Sequence, residues 1–238
     1  RPCATDVPSR EAELRHCSVP ADPDQGGTRR RRGYKRDRDQ QPAAGPAARH
    51  GAPGAASGRR YAALDLGTNN CRLLVAEARG GGYRVIDAFS RIIRLGEGVS
   101  GCGRISEPAM ARAMEALEVC ARKLEHARVD RFRLIATEAC RMAANGPEFV
   151  DRVERETGLS LEIVSRETEA RLAVAGCSTL IDRGSEGVVL FDIGGGSSEI
   201  VWVDLSGRHR LTGVAITRCI RAWTSLPVGV VSLAERHG

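Results

Sequence analysis

The sequence predicts an α/β protein built from two lobes of similar design, with loops from both lobes facing one cleft. Two stretches carry this prediction, residues 61–75 (YAALDLGTNNCRLLV) and residues 187–202 (GVVLFDIGGGSSEIVW). In each, an apolar strand ends on an aspartate, Asp65 or Asp192, and a turn of small residues leads into a second apolar strand. Because the aspartate recurs at the same point of both stretches, we expect a duplicated architecture. A chance likeness of two short hairpins is the alternative.

The two turns have a composition suited to binding phosphate. Glycine lets the backbone fold tightly and point several N–H groups one way, and the missing Cβ lets a bulky anion come close. An aspartate at the carboxyl end of the strand is placed to hold Mg²⁺ or a water beside that anion. An ordinary glycine-rich hairpin with a surface aspartate is the competing interpretation. We predict metal ligands at Asp65 and Asp192 and phosphate contacts from Gly67, Thr68, Asn69, Asn70, Gly194, Gly195, Gly196, Ser197 and Ser198.

The remaining elements follow from local patterns. Strands at 61–66, 71–78 and 83–95 are joined by short links and must therefore be antiparallel. Ser106 is placed to cap a helix whose apolar residues recur every three or four positions. That apolar stripe consists of Met110, Met114, Leu117, Ala121 and Leu124. Further on we expect a strand at 132–136, a helix at 147–157 stopped by Gly158, a strand at 161–164, a helix from 167, and a last strand at 208–214.

Charge and cysteine usage limit the function classes. Residues 1–60 carry 13 basic and 7 acidic side chains, so the whole net charge of +6 lies in this segment. We expect residues 1–58 to be a disordered basic tail, which is more often solvated than bound to nucleic acid. The eight cysteines form no C-x-x-C pair, which argues against a zinc site or a disulfide framework and favours free thiols in a reducing cytoplasm. No apolar run approaches the length of a membrane helix, so no membrane partner is expected.

Five motifs, in order, resemble those of the exopolyphosphatase and guanosine pentaphosphate phosphatase family. They are DLGTNN at 65–70, ATEACR at 136–141, ETEARLA at 167–173, DIGGGSSE at 192–199 and SLPVGVV at 225–231. The family belongs to the actin, sugar kinase and Hsp70 superfamily. The resemblance therefore implies an actin-like ATPase fold of two ribonuclease H-like lobes, and it divides the chain at residues 59–186 and 187–238. It covers roughly residues 59–233.

The resemblance also implies chemistry. Members remove a terminal phosphate from inorganic polyphosphate or the 5′-phosphate of guanosine pentaphosphate, so we expect a Mg²⁺-assisted hydrolase, with another divalent cation as an alternative. The second glutamate of the family's E-x-E-[AG]-R motif is catalytic, and Glu169 holds that position; helix capping is its structural alternative. Thr137 and Arg141 are candidate phosphate contacts, although Arg141 has the alternative of pairing with a carboxylate. Arg94 is a further candidate, with a surface arginine closing an edge strand as its alternative.

Other expectations remain open at this point. Glu199 either supports the metal or points outward from its strand. The family's second lobe runs on beyond the position of Gly238, so we expect one complete lobe, the beginning of another, and weak or no activity of this chain by itself. A non-catalytic module that binds phosphate or nucleotide is therefore the rival function. We expect a cytoplasmic protein without a specific nucleic-acid partner, and a homodimer is left open.

Overall fold

The computed structural model describes residues 58–80, 82–182, 184–207 and 211–237, and these form two β-sheets with helices packed against them. The predicted basic tail, residues 1–58, lies outside this part of the chain apart from Gly58. The first set of elements is β1 (Arg60–Leu66), β2 (Asn70–Arg79), β3 (Gly82–Ile92), α1 (Val99–Cys102), α2 (Glu107–Ala127), β4 (Arg131–Ala136), α3 (Glu138–Met142), α4 (Gly146–Thr157), β5 (Glu162–Ile163) and α5 (Arg166–Cys177). The second set is β6 (Gly187–Ile193), β7 (Ser198–Asp204), β8 (Ile220–Leu226) and α6 (Val230–His237), with 3₁₀ segments at Ser178–Leu180 and Gly213–Cys219.

The first sheet has the strand order β3-β2-β1-β4-β5. β1, β2 and β3 are antiparallel, as their short connections predicted, whereas β4 runs parallel to β1 and β5 runs parallel to β4. A parallel pair needs a long crossover, and here the path from β1 to β4 passes through α2. This is the ribonuclease H-like arrangement expected for the first lobe.

α2 covers one face of the first sheet with the predicted apolar stripe. Met110, Met114, Leu117 and Leu124 are buried in one core cluster together with alternate residues of β1 and β2. The helix begins as predicted, because the Ser106 hydroxyl accepts a hydrogen bond from the backbone N–H of Ala109 at 3.4 Å. Burying such a stripe against a sheet is the main source of stability for a helix of this kind.

The second sheet repeats the opening of the first. β6, β7 and β8 form an antiparallel sheet in that order, so each sheet starts with three consecutive antiparallel strands. Among the described residues the first sheet has five strands and the second has three, which agrees with the expected complete lobe and partial lobe.

The predicted last strand at 208–214 is wrong for the residues that can be judged. Residues 208–210 lie outside the described part, and the third strand of the second sheet is β8, beginning only at Ile220. Before it, residues 213–219 form a 3₁₀ segment that buries Ile216 and Cys219. Side chains three residues apart share one face of a 3₁₀ helix, so Ile216 and Cys219 point into the core together.

α5 connects the two sheets. Its buried residues Ala170 and Val174 pack with Val201 and Val203 of β7, so the buried side of the helix belongs to the second core cluster. Leu172, on another side of α5, lines a cavity of about 500 Å³ against the first sheet. The lobe boundaries predicted at 186 and 187 remain predictions.

No helix in the described ranges combines the length and the apolar character needed to cross a membrane.

Candidate active site

The two turns that the sequence singled out have the same internal hydrogen bond. In the first turn the N–H of Gly67 donates to the carbonyl of Asn70 at 2.9 Å, and in the second the N–H of Gly194 donates to the carbonyl of Ser197 at 2.9 Å. In both turns the glycine follows an aspartate by two residues, and that aspartate, Asp65 or Asp192, is the next-to-last residue of its strand. The duplication read from the sequence therefore extends to the hydrogen bonds of the backbone.

The turns pack directly against each other across the two sheets. A Cβ added to Gly195 would lie 2.9 Å from the Cβ of Thr68 and 3.2 Å from the backbone nitrogen of Asn69. A Cβ on Gly196 would lie 3.1 Å from the Thr68 hydroxyl. Only glycine permits this approach, which explains why the second turn needs consecutive glycines.

Between the turns lies a cleft of about 180 Å³. It brings together the three carboxylates predicted to act in the site, Asp65, Asp192 and Glu169. The predicted phosphate contacts that line it are Gly67, Thr68, Asn69, Asn70, Thr137, Gly194, Gly195, Gly196 and Ser197. Residues from both sheets and from α5 thus meet in one place, although their roles in binding stay predictions.

Three predicted phosphate contacts are not among the residues that line the cleft. The Ser198 hydroxyl donates to the carbonyl of Val228 at 2.7 Å and so supports the loop after β8. Arg94 has a left-handed backbone (φ 48°) and an exposed side chain, and its N–H donates to the carbonyl of Asn69. Its backbone therefore braces the first turn from outside the cleft.

Arg141, the third of these, is bonded to protein acceptors. Its guanidinium donates to Glu138 Oε2 from Nε at 2.9 Å and from Nη2 at 2.5 Å, and to Glu169 Oε2 at 2.9 Å. It also donates to the carbonyl of Val164. The geometry supports the carboxylate-pairing alternative for this residue, because two of these contacts go to Glu138 at the start of α3 and one goes to Glu169 of α5.

Glu169 lies at the start of α5 and faces the cleft. Burial raises the pKa of its carboxyl, the hydrogen bond from Arg141 opposes that rise, and the negative charges of Glu199 and Asp65 add to it. A carboxylate whose pKa is raised is a better proton acceptor near neutral pH than a free surface glutamate. Glu167 occupies the same first turn of the helix but is exposed and pairs with Arg171 at 3.0 Å.

Glu138 anchors this network from the first lobe. It is 5% exposed, and its carboxylate accepts hydrogen bonds from Arg141 and from Arg166, whose Nη2 lies 2.5 Å from Oε1. Burial alone would raise the pKa of Glu138, but the two guanidinium groups together outweigh it and the pKa is lowered. Glu138 is therefore held as a carboxylate in the wall of the cleft.

The pair of aspartates is the part of the site that suits a cation. Burial raises the pKa of Asp65, Arg72 opposes this, and the charge of Asp192 adds to it. Asp65 Oδ1 is buried and has no hydrogen-bond partner in the described part of the chain, so a bound cation would satisfy this oxygen. No group of three or more His, Cys, Asp or Glu side chains within the described residues is arranged to hold a metal. Two carboxylates suit Mg²⁺, which usually keeps several waters and completes its shell with phosphate oxygens.

Glu199 does not point outward, so that alternative from the sequence is wrong. The residue is 1% exposed, and its Oε1 accepts a hydrogen bond from the Ser225 hydroxyl at 2.7 Å. A support role for a metal stays a prediction.

The segment after β8 braces the second turn. The N–H groups of Val230 and Val231 donate to the carbonyls of Gly194 and Gly195, at 3.0 and 2.8 Å. A Cβ on Gly229 would lie 2.4 Å from the carbonyl carbon of Gly195, so the two backbones are in direct contact. Through these contacts the segment supports the second glycine turn and so braces the cleft.

The far end of α6 contacts the first lobe. Glu235 Oε1 accepts from the N–H of Gly98 at 2.7 Å, and Oε2 accepts from the Ser100 hydroxyl at 2.5 Å. A second cavity of about 250 Å³ lies between α6 and residues 96–103 and shares Thr68 with the cleft.

Sequence reasoning missed two charged side chains that line the cleft, Arg72 and Glu138. Arg72 is the cross-strand partner of Asp65 in the β1–β2 register, and hairpin pairing would have placed the two side chains on one face. Glu138 directly follows Thr137 in a motif that the sequence analysis quoted, but nothing local distinguishes it from a capping acid.

Solved structures of three proteins resemble the chain. A Ppx/GppA family member from Aquifex aeolicus is 33% identical with a TM-score of 0.60, and the match covers 74% of this chain and 54% of that one. An exopolyphosphatase-like protein is 31% identical with a TM-score of 0.66, covering 75% and 53%. An exopolyphosphatase from Cytophaga hutchinsonii, at 24% identity and a TM-score of 0.65 with coverage of 75% and 53%, supports the fold.

The chain thus spans about half the length of these solved relatives. The sequence model of the Ppx/GppA phosphatase family matches residues 74–237, a range that holds Glu169, Asp192 and the second glycine turn. Since that match extends over more than half of the chain and the fold agrees with it, the protein belongs to the Ppx/GppA phosphatase family.

Proposed function

We propose that the protein is a phosphoanhydride hydrolase that releases the terminal phosphate of inorganic polyphosphate or the 5′-phosphate of guanosine pentaphosphate. Membership of a phosphatase family supports the hydrolase class. Two of the solved relatives are an exopolyphosphatase and an exopolyphosphatase-like protein, which favours a polyphosphate chain as substrate.

The observation that carries the proposal is the convergence of Asp65, Glu169 and Asp192 on one cleft walled by two glycine turns. Hydrolysis of a phosphoanhydride needs neutralised charge, an aligned water and a base for its proton. Backbone N–H groups of the turns would bind phosphate oxygens. Glu169, positioned by Arg141, would take the proton from the attacking water.

A divalent cation belongs to the proposal because of the chemistry of the two aspartates. Asp65 and Asp192 would hold Mg²⁺, which when bound would offset the charge of the phosphates and polarise a phosphoryl oxygen. The buried, unpartnered oxygen of Asp65 supports this assignment. Lysine does not compete for the role, because Lys123, the one lysine outside residues 1–58, is bonded to both carboxylate oxygens of Asp87 at 2.8 Å.

The test compares two substitutions on one helix turn, Glu169→Gln and Glu167→Gln. Both remove an acid from the first turn of α5, so both lose the same favourable interaction with the helix dipole. Phosphate release from long-chain polyphosphate and from guanosine pentaphosphate is measured with Mg²⁺ and with a chelator. We expect Glu169→Gln to lower the rate by about 10² to 10⁴ and Glu167→Gln to leave it within about twofold. Equal rates for the protein and its Glu169→Gln variant would rule out the proposed base.

A second candidate is a phosphate-binding module without catalysis. It is favoured by the open edge of the second sheet, because within the described residues β6 pairs with β7 alone. Val189, Phe191 and Ile193 of β6 are exposed, and an apolar edge strand of this kind invites a partner. Binding of polyphosphate without phosphate release above a protein-free blank would support this function over hydrolysis.

A further inference from the structure

Arg72 lines the cleft but takes no part in the hydrogen bonds that join Glu138, Arg141, Arg166 and Glu169. It lies on β2 directly opposite Asp65, and directly opposed residues of an antiparallel pair project to the same side of the sheet. Its side chain is exposed and lines the cleft with both glycine turns. Within the described ranges, its guanidinium has neither a hydrogen bond nor an ion pair.

The other basic side chains near the cleft have protein partners. Arg141 is bonded to Glu138 and Glu169, and Arg166 to Glu138 through both Nε and Nη2. Arg94, although a predicted phosphate contact, is not a lining residue. Of the arginines in the described part of the chain, Arg72 is the one that both lines the cleft and keeps its donors unused.

The internal duplication makes the placement of this charge asymmetric. Asp65 pairs with Arg72 in the first hairpin, and Asp192 pairs with Glu199 at the equivalent position of the second. Glu199 is buried and accepts a hydrogen bond from Ser225, so the second hairpin presents no cation there. The positive side chain of the cleft therefore comes from the first lobe.

We propose that Arg72 binds the phosphate chain of the substrate, donating to its oxygens from the edge of the first glycine turn. The inference rests on the proposed function, since it concerns the same cleft. A guanidinium matches two oxygens of one phosphoryl group, and its charge offsets part of the repulsion between the substrate and the cleft carboxylates. Because the contact would exist before and during the reaction, its loss should raise KM more than it lowers kcat.

The experiment measures binding of tripolyphosphate by calorimetry, with Mg²⁺ and with a chelator, and separately the KM and kcat of phosphate release. Arg72→Gln should weaken binding about 10- to 100-fold, the range expected for hydrogen bonds to a charged group. Arg72→Lys should recover part of the loss, because it restores the charge but not the paired donors. The matched control is Arg133→Gln: Arg133 shares the cavity beside Arg72 on the first sheet but pairs with Glu162 and does not line the cleft.

The outcomes separate direct contact from an effect through Asp65. Direct contact predicts weaker binding both with Mg²⁺ and with the chelator, and a loss seen only with Mg²⁺ would overturn it. Unchanged affinity in Arg72→Gln, an equal loss in Arg133→Gln, or no binding of tripolyphosphate by the unaltered protein would also overturn it. If the unaltered protein binds but releases no phosphate, and Arg72→Gln still weakens binding, the inference stands and the hydrolase proposal fails.

Discussion

Arg141 holds the carboxylate of Glu169, its Nη2 lying 2.9 Å from Oε2, while the same nitrogen lies 2.5 Å from Glu138 Oε2. One guanidinium thus links the carboxylate of Glu138 to that of Glu169, the proposed base. It also counteracts the effect of burial on the pKa of Glu169. Arg141 therefore both positions the proposed base and opposes the rise in its pKa.

Replacing Arg141 should change the pH dependence of catalysis. Arg141→Met removes a positive charge that lowers the pKa of Glu169, so that pKa rises further above its ordinary value. A base must be ionised to act, hence the acidic limb of the kcat profile should move to higher pH. The measurement is kcat from pH 4.5 to 9 with saturating substrate and Mg²⁺. Arg171→Met, which removes an arginine paired with Glu167 on the same helix, is the control and should leave the limb in place. An unshifted limb in Arg141→Met would contradict the assignment of Glu169.

Removing the charge of Asp65 should weaken the metal site while stabilising the fold. The carboxylate is buried and Oδ1 has no hydrogen-bond partner in the described part of the chain, so ionised Asp65 opposes folding when no cation is bound. For Asp65→Asn without Mg²⁺ we expect a gain of about 1 kcal/mol, or roughly 2 to 4 °C in Tm. The Mg²⁺ concentration for half-maximal activity should rise at least about tenfold. Asp192→Asn should also raise the Mg²⁺ requirement but should not raise Tm. A lower Tm for Asp65→Asn would refute this account.

A methyl group at residue 229 should damage both stability and the second turn. The Cβ of Gly229→Ala would lie 2.4 Å from the carbonyl carbon of Gly195, which cannot move away without breaking the turn. We expect about 1 to 3 kcal/mol of destabilisation in urea unfolding, as for other overpacked sites. Gly176→Ala in α5 is the control, because nothing lies within 4 Å of its added Cβ. It should instead stabilise the protein by about 0.5 to 1 kcal/mol. Equal effects of the two changes would show that the contact with Gly195 is unimportant.

Glu138 should make stability depend on acid pH. Its pKa is lowered below 4.5 by Arg166 and Arg141 against the effect of burial, so it stabilises the fold above the unfolded value, and this contribution is lost as pH falls through the folded value. Glu138→Gln should cost about 2 to 4 kcal/mol at pH 7, because two guanidinium groups lose their partner. The difference from the unaltered protein should shrink as pH falls below about 4.5, the unfolded pKa. Chemical denaturation at pH 3.5, 5 and 7 measures the unfolding free energy of both proteins. A difference between them that stays constant with pH would argue against a charge effect.

The sequence was sufficient for features that recur or alternate. The repeated aspartates predicted that Asp65 and Asp192 would share a cleft, and the stripe through Met114 predicted the buried face of α2. The sequence could not predict which residues distant along the chain would become hydrogen-bond partners. The choice of Arg141 between phosphate and carboxylate depends on Glu138 and Glu169 reaching it from two elements. The wrong strand at 208–214 shows the same limit, since Ile216 and Cys219 of the 3₁₀ segment at 213–219 are buried in one cluster with residues of α5, a contact that no local pattern predicts.

α6 joins the second glycine turn to the first lobe through its two ends. Its first turn is bonded to the carbonyls of Gly194 and Gly195, and Glu235 in its last turn holds Gly98 and Ser100. Widening the gap between the turns from this side requires Glu235 to lose its hydrogen bonds from Gly98 and Ser100. A phosphate chain of the proposed kind that entered from this side would first have to break these two hydrogen bonds, so its rate of entry would be separable from the rate of hydrolysis.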